Sequence, residues 1–189
     1  MRVILASKSP RRRELLGEIY DNFEIITREV DESLPSGMHP SKCVEMLACK
    51  KGEAVARDVG EDALVISSDT LVELGGVALG KPRGPIDASA MLAALSGRVH
   101  NVHTGVAVHY KGKVYSGTAT TAVHFKPLSE FEIEEYVKSG DPMDKAGAYG
   151  IQSGGGKFVK RIEGDFDTVV GLSLSLTRKL IEAATNDEN

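Results

Sequence analysis

Three consecutive arginines, three lysines and one carboxylate after an apolar run are the residues of this chain best suited to chemistry on phosphate. Arg11, Arg12 and Arg13 follow Ser9-Pro10, and Val3-Ile4-Leu5 before them reads as a strand. Ser9 is of N-cap type, and Pro10 fits the first helical position, where no N–H is needed. A helix start exposes N–H groups and the positive end of its dipole, and guanidinium forks bind two phosphate oxygens at once. The run therefore predicts an anion site, against the plainer alternative of a solvated basic helix start. Lys51 falls on the apolar stripe of Val44, Leu47, Ala48 and Val55, where it is either a snorkelling lysine or a cation aimed inward. Asp69 follows the apolar run 63–68, so it must face solvent, a cation or a hydrogen-bond donor; the plain alternative is an Asp that starts a turn. Lys81, Lys145 and Glu32 complete the charged candidates, and the Gln152 amide offers a donor and an acceptor to a nucleobase edge. A nucleoside triphosphate demands this set: cations for its phosphates, carboxylates for a divalent metal, and a base for an attacking water.

The elements that must position these groups alternate between strands and helices. After the helix at 10–18, residues 23–27 alternate as a strand, and a Pro/Gly/Ser loop leads to a helix over 40–58. Residues 63–68 read as a buried central strand that delivers Asp69 and Thr70 at its C-terminal end, the edge where α/β folds bind ligands. A hairpin around Gly75-Gly76, a helix over 87–96, and two long strands paired around Lys111-Gly112 follow. Ser129 to Glu132 has capping-box spacing for a helix that stops at Gly140. An irregular stretch from Asp141 to Gly156, a strand over 157–162, a turn at Gly164-Asp165 and a helix over 173–184 close the chain, with 185–189 frayed. The hairpins make the sheet mixed rather than purely parallel.

With 189 residues, 41% hydrophobic and 26% charged, the chain is long enough for one well-cored α/β domain, with room for two lobes. A formal charge of −4 argues against a general nucleic-acid binder and makes the arginine run a local positive spot. Apolar runs are too short for a membrane span, and the first residues read as a strand rather than a signal peptide. Cys43 and Cys49, six apart on one helix, point to different sides and suit reduced thiols in the cytoplasm. The five histidines lack metal-ligand spacing, His100 and His103 facing opposite sides of a strand. Neither a Walker A motif nor a Gly-x-Ser-x-Gly elbow is present.

Ser7-Lys8-Ser9-Pro10-Arg11-Arg12, Val30-Asp31-Glu32, Ser68-Asp69-Thr70, Gly80-Lys81-Pro82-Arg83 and the segment Asp144-Lys145-Ala146-Gly147-Ala148-Tyr149-Gly150-Ile151-Gln152 stand in the order seen in Maf proteins. In these motifs the chain resembles that family from its first strand to its last helix. The resemblance implies a single domain over 1–189 similar in fold to the inosine triphosphate pyrophosphatases: an elongated mixed α/β sheet with flanking helices, two lobes around a cleft, and a homodimer. It implies hydrolysis of nucleoside triphosphates to the monophosphate and pyrophosphate with a divalent metal. Carried over by position, it makes Asp69 the proton acceptor and Arg12, Thr70 and Gln152 determinants of substrate choice, while Ser7, Arg11, Lys51 and Lys81 match cleft positions. The segment 144–152 resembles the branch that acts on dTTP and UTP. Lys50 departs from the family pattern, in which an acidic residue often precedes the lysine, and Arg13 is a variable position.

The roles expected on this basis are as follows. Arg11, Arg12 and the helix start cradle the triphosphate, and Lys51 and Lys81 neutralise charge on the phosphates. Asp69, with Glu32, holds Mg²⁺ or Mn²⁺ and activates water for attack on the α-phosphorus, and Gln152 meets the pyrimidine edge. The alternatives are a non-catalytic nucleotide sensor or division regulator, a pyrophosphatase for modified purine triphosphates, and an RNA-binding module.

Overall fold

The computed structural model describes residues 1–186. Its centre is a seven-stranded mixed sheet with flanking helices. The strands are β1 (Arg2–Leu5), β2 (Glu24–Ile25), β3 (Ala63–Leu74), β4 (Val77–Leu79), β5 (Val99–Tyr110), β6 (Lys113–Phe125) and β7 (Val159–Glu163). They lie in the order β2-β1-β3-β5-β6-β7, and β4 pairs with β3. The helices are α1 (Pro10–Leu16), α2 (Pro40–Val59), α3 (Pro85–Leu95), α4 (Glu130–Lys138), α5 (Phe166–Val170) and α6 (Leu174–Asn186).

The chain divides into two compact units. The first holds residues 1–70, 104–119 and the chain from Gly171 on; the second holds 71–103 and 120–170. In the first, β1 runs parallel to β3 with Val3, Ile4 and Leu5 opposite Leu64, Val65 and Ile66. These paired residues are buried, so both strands read here as apolar runs rather than alternating ones. Ile4, Ala6, Val65 and Val55 of α2 form one core cluster there. In the second unit, Leu92, Leu95, Val123, Phe125, Tyr149 and Phe158 belong to a larger core. Its rings meet edge to face, Phe125 to Tyr149 at 4.8 Å and Tyr136 to Phe158 at 5.1 Å between centroids.

Most expected elements are present, including the hairpin of β3 and β4, the long strands β5 and β6, and the complete capping box of Ser129 and Glu132 on α4. Others differ from expectation. β3 does not stop before Asp69 but continues to Leu74, because Leu71 and Val72 are buried and Val72 to Leu74 pair with β4. β2 shrinks to two exposed residues at the sheet edge, and β7 starts two residues late because 154–158 form a 3₁₀ turn. α5 was not foreseen, five residues being too few for a periodic signal. At the C-terminus Thr185 and Asn186 are helical, and 187–189 of the expected frayed tail lie outside the described residues.

Candidate active site

α1 begins as its sequence predicts: Ser9 Oγ accepts the Arg12 N–H at 3.4 Å, and Pro10 is at N1. Only seven residues long, it sums few peptide dipoles, so the guanidinium groups rather than the helix start must carry any anion binding. Arg13 is exposed and Arg11 half-buried. Arg12 is built into the fold. Its Nε donates to the Gly171 carbonyl at 2.9 Å, Nη1 to Ser7 Oγ at 3.4 Å, and Nη2 to Thr70 Oγ1 at 3.2 Å. Burial and the neighbouring Arg11 charge push the Arg12 pKa down, opposed by the carboxylates of Asp69 and Glu32; the guanidinium remains a cation.

Lys51 decides between its two expected readings. Its Nζ donates to Asp69 Oδ1 at 2.6 Å and lies 3.1 Å from Glu32 Oε1, so it faces inward and does not snorkel. The Lys51 and Asp69 side chains are 17% and 10% exposed, whereas Glu32 is 59% exposed. α2 supplies the lysine, β3 the aspartate and the loop after β2 the glutamate. Lys50 reinforces that loop, donating to the Asp31 carbonyl at 3.1 Å, and the Asp31 carboxylate accepts the Ser33 N–H and hydroxyl. Glu32 and Asp69 thus flank one ammonium.

Ser7, Arg12, Glu32, Lys51, Asp69 and Thr70 come together within the first unit, with Arg11 next to Arg12. Lys81 and Gln152 belong to the second unit, where both are exposed. Lys81 follows Gly80, whose carbonyl accepts the Gly147 N–H at 3.0 Å, and Gln152 lies in a turn closed by Ser153 N–H to the Gly150 carbonyl at 3.2 Å. Lys145, expected among the phosphate-binding cations, is instead spent on the protein. Its Nζ donates to the Asp141 carbonyl at 2.6 Å and to the Asp144 and Asp141 carboxylates at 2.7 and 3.0 Å.

Three neighbours of the cluster are residues to which the sequence assigned no role. Ser68 Oγ donates to the Gly171 carbonyl at 2.8 Å, and the buried Thr104 hydroxyl lies 3.0 Å from that of Thr70. Gly171 has φ +132°, a conformation open to glycine, and a Cβ there would come within 3.4 Å of Arg12 Nε. Its type was the one signal available; its partners lie more than a hundred residues away in sequence.

Two carboxylates on one ammonium also bear on a metal. Among the described residues no group of three or more His, Cys, Asp or Glu is gathered as ligands. Mg²⁺ is commonly held by one or two carboxylates plus substrate phosphates, and Asp69 with Glu32 fits that donor pattern.

Residues 2–184 match the family model described as Maf-like protein. The chain belongs to the Maf-like family. This Maf-like chain is 48% identical over 180 residues to a protein of Vibrio cholerae serotype O1 named dTTP/UTP pyrophosphatase, covering 95% of this chain and 96% of that one. It is 46% identical over 183 residues to a Clostridium novyi protein of the same name, again covering 95% and 96%. Among solved structures, the Staphylococcus aureus Ham1 protein aligns over all of both chains with a TM-score of 0.54 and 15% identity, a likeness of fold. Among the described residues of the Maf-like chain, no helix is long and apolar enough to cross a membrane.

Proposed function

We propose that this chain is a nucleoside triphosphate pyrophosphatase that cleaves dTTP and UTP to the monophosphate and pyrophosphate with a divalent cation. On this proposal it acts as a cytoplasmic homodimer, with residues 1–189 as one Maf-like domain. The observation that carries it is the identity of 46–48% over 95% of the chain to proteins named dTTP/UTP pyrophosphatase. The clustering of Arg12, Lys51 and Asp69 supports it, because it sets two cations beside one nearly buried carboxylate.

In this mechanism Arg11 and the remaining donors of Arg12 hold phosphate oxygens, and Thr70 and Ser7 keep the Arg12 fork in its plane. Lys51 and Lys81 offset charge that builds on the phosphates in the transition state. Asp69 accepts a proton from water as its oxygen bonds to the α-phosphorus. The bond from that phosphorus to the bridging oxygen breaks, and its electron pair leaves with pyrophosphate. Asp69 and Glu32 would hold Mg²⁺ or Mn²⁺, which supplies Lewis acidity toward phosphoryl oxygens. Gln152 hydrogen-bonds the pyrimidine edge.

Pyrophosphate release from dTTP, UTP, CTP, 7-methyl-GTP, ITP and dATP tests the assignment. Cleavage of dTTP and UTP is expected, with turnover falling about 10²–10⁴-fold in Asp69→Asn. Full activity in that variant would remove Asp69 as the base. Nucleotide binding without any turnover would make the chain a sensor, and preference for ITP would move it to the modified purines.

A further inference from the structure

The turn that carries Gln152 is held by side chains to which the reaction gives no part, and the Asp141 carboxylate is their hub. Its Oδ2 accepts from the Tyr136 and Ser153 hydroxyls, each at 2.6 Å, and its Oδ1 from Lys145 Nζ at 3.0 Å. The Tyr136 hydroxyl in turn accepts the Gly150 N–H at 3.1 Å. Both ends of the turn 150–153 are thereby tied to one carboxylate, and Gln152 is the exposed residue just before Ser153. Burial pushes the Asp141 pKa up, but hydrogen bonds from Ser153, Tyr136 and Lys145 outweigh it and hold the group below the usual carboxylate range. Burial pushes the Tyr136 phenol up, so it stays a donor. Just upstream, the buried Ala148 has φ +60°, a left-handed conformation that packing must hold in a residue with a side chain.

We propose that Asp141 is a positioning residue for base choice: through Tyr136 and Ser153 it fixes the turn from which Gln152 meets the pyrimidine, a role that rests on the proposed contact of Gln152 with the base. The chemistry of an amide explains why such a frame is needed. Turned over, a glutamine side chain exchanges donor and acceptor. Thymine and uracil offer a carbonyl acceptor where cytosine offers an amino donor. A glutamine on a loose turn satisfies either pattern, whereas one held at a fixed distance and angle favours one of them.

The test measures Kd for non-hydrolysable α,β-imido analogues of dTTP and 5-methyl-dCTP, which share sugar and methyl group, so that base choice is read apart from turnover. Asp141→Asn, Tyr136→Phe, Ser153→Ala and Gln152→Ala are compared singly, and the first three are repeated in the Gln152→Ala background. The native protein is expected to prefer the dTTP analogue. Asp141→Asn and Ser153→Ala should each lower that preference about tenfold, the worth of one hydrogen bond. In the Gln152→Ala background they should lower it no further, the mark of a shared pathway. If Asp141→Asn does not fold, Ser153→Ala, at an exposed position, tests the same link. Preference lost in Gln152→Ala but kept in Ser153→Ala and Asp141→Asn would overturn the role of Asp141 alone. Equal loss of affinity for both analogues, or full additivity with Gln152→Ala, would reduce the frame to a structural one and overturn it as well. Preference kept in Gln152→Ala, or missing from the native protein, would overturn the base contact and the role of Asp141 together.

Discussion

Arg12 is a cation that the fold has aimed. Three of its donors are engaged, on a backbone carbonyl and two hydroxyls, and these fix the plane in which the rest of the fork points. Lysine at this position keeps the charge and loses the fork. Arg12→Lys is therefore expected to lower kcat/KM for dTTP about 10- to 100-fold, by the loss of one or two charged hydrogen bonds. Steady-state kinetics check this, and unchanged kinetics would mean that charge alone suffices. The candidacy of Arg12 was legible in the sequence, since an arginine run after Ser-Pro is an unusual local charge on an acidic chain. Its partners were not: Gly171 and Thr70 approach it from remote parts of the chain. Lys51 shows the same division. Its misplaced charge on an apolar stripe signalled something, but only the packing of α2 brings its Nζ to Asp69.

At the scale of elements, α2 reaches β3 and β5 because the strands leave room for it. A Cβ on Gly105 of β5 would fall on the carbonyl oxygen of Val44 in α2, a backbone atom that cannot rotate away. Gly105→Ala must displace the helix that carries Lys51. The expected cost is about 1–3 kcal/mol of stability, with activity lost as the Lys51–Asp69 distance grows. Urea unfolding and dTTP turnover measure the two effects, and an unchanged urea midpoint would show that the helix shifts freely. Elements with strong local signals were read correctly from sequence, the capping box of α4 and the Gly75-Gly76 hairpin among them. The end of β3 was misplaced, because a polar Ser67-Ser68-Asp69-Thr70 stretch looks like a strand end when its buried partners are unknown. In the fold Ser67 Oγ donates to the Ala48 carbonyl at 2.7 Å and Ser68 Oγ to that of Gly171, so the polar stretch stays inside the sheet.

For the molecule as a whole, acid should be the condition that unfolds it. His100 Nε2 meets the Tyr149 hydroxyl at 2.8 Å, while Nδ1 is buried with no partner among the described residues. Burial, and then the charge of His124, push the His100 pKa from 6.5 down to about 4. The unfolded chain binds this proton at about pH 6.5 and the folded chain does so only near 4. Stability from this group is therefore complete above about 6.5 and is lost as pH falls toward 4, by up to about 3 kcal/mol. Urea midpoints between pH 7.5 and pH 4, with a flatter profile in His100→Gln, check it; an identical profile in the variant would shift the effect to other groups. Length, charge and ordered motifs were enough to determine the family and the mixed α/β class, and to single out the residues proposed to handle phosphate. Those properties are local, or follow from composition, and each survives in the sequence as spacing. Tertiary structure alone decided which cations stay available: Lys145 spent on Asp141 and Asp144, Lys51 bridged between Asp69 and Glu32, Arg12 fixed by Gly171. An ion pair or hydrogen bond depends on distances of a few ångströms between residues far apart in the chain, and no spacing in one dimension carries that information.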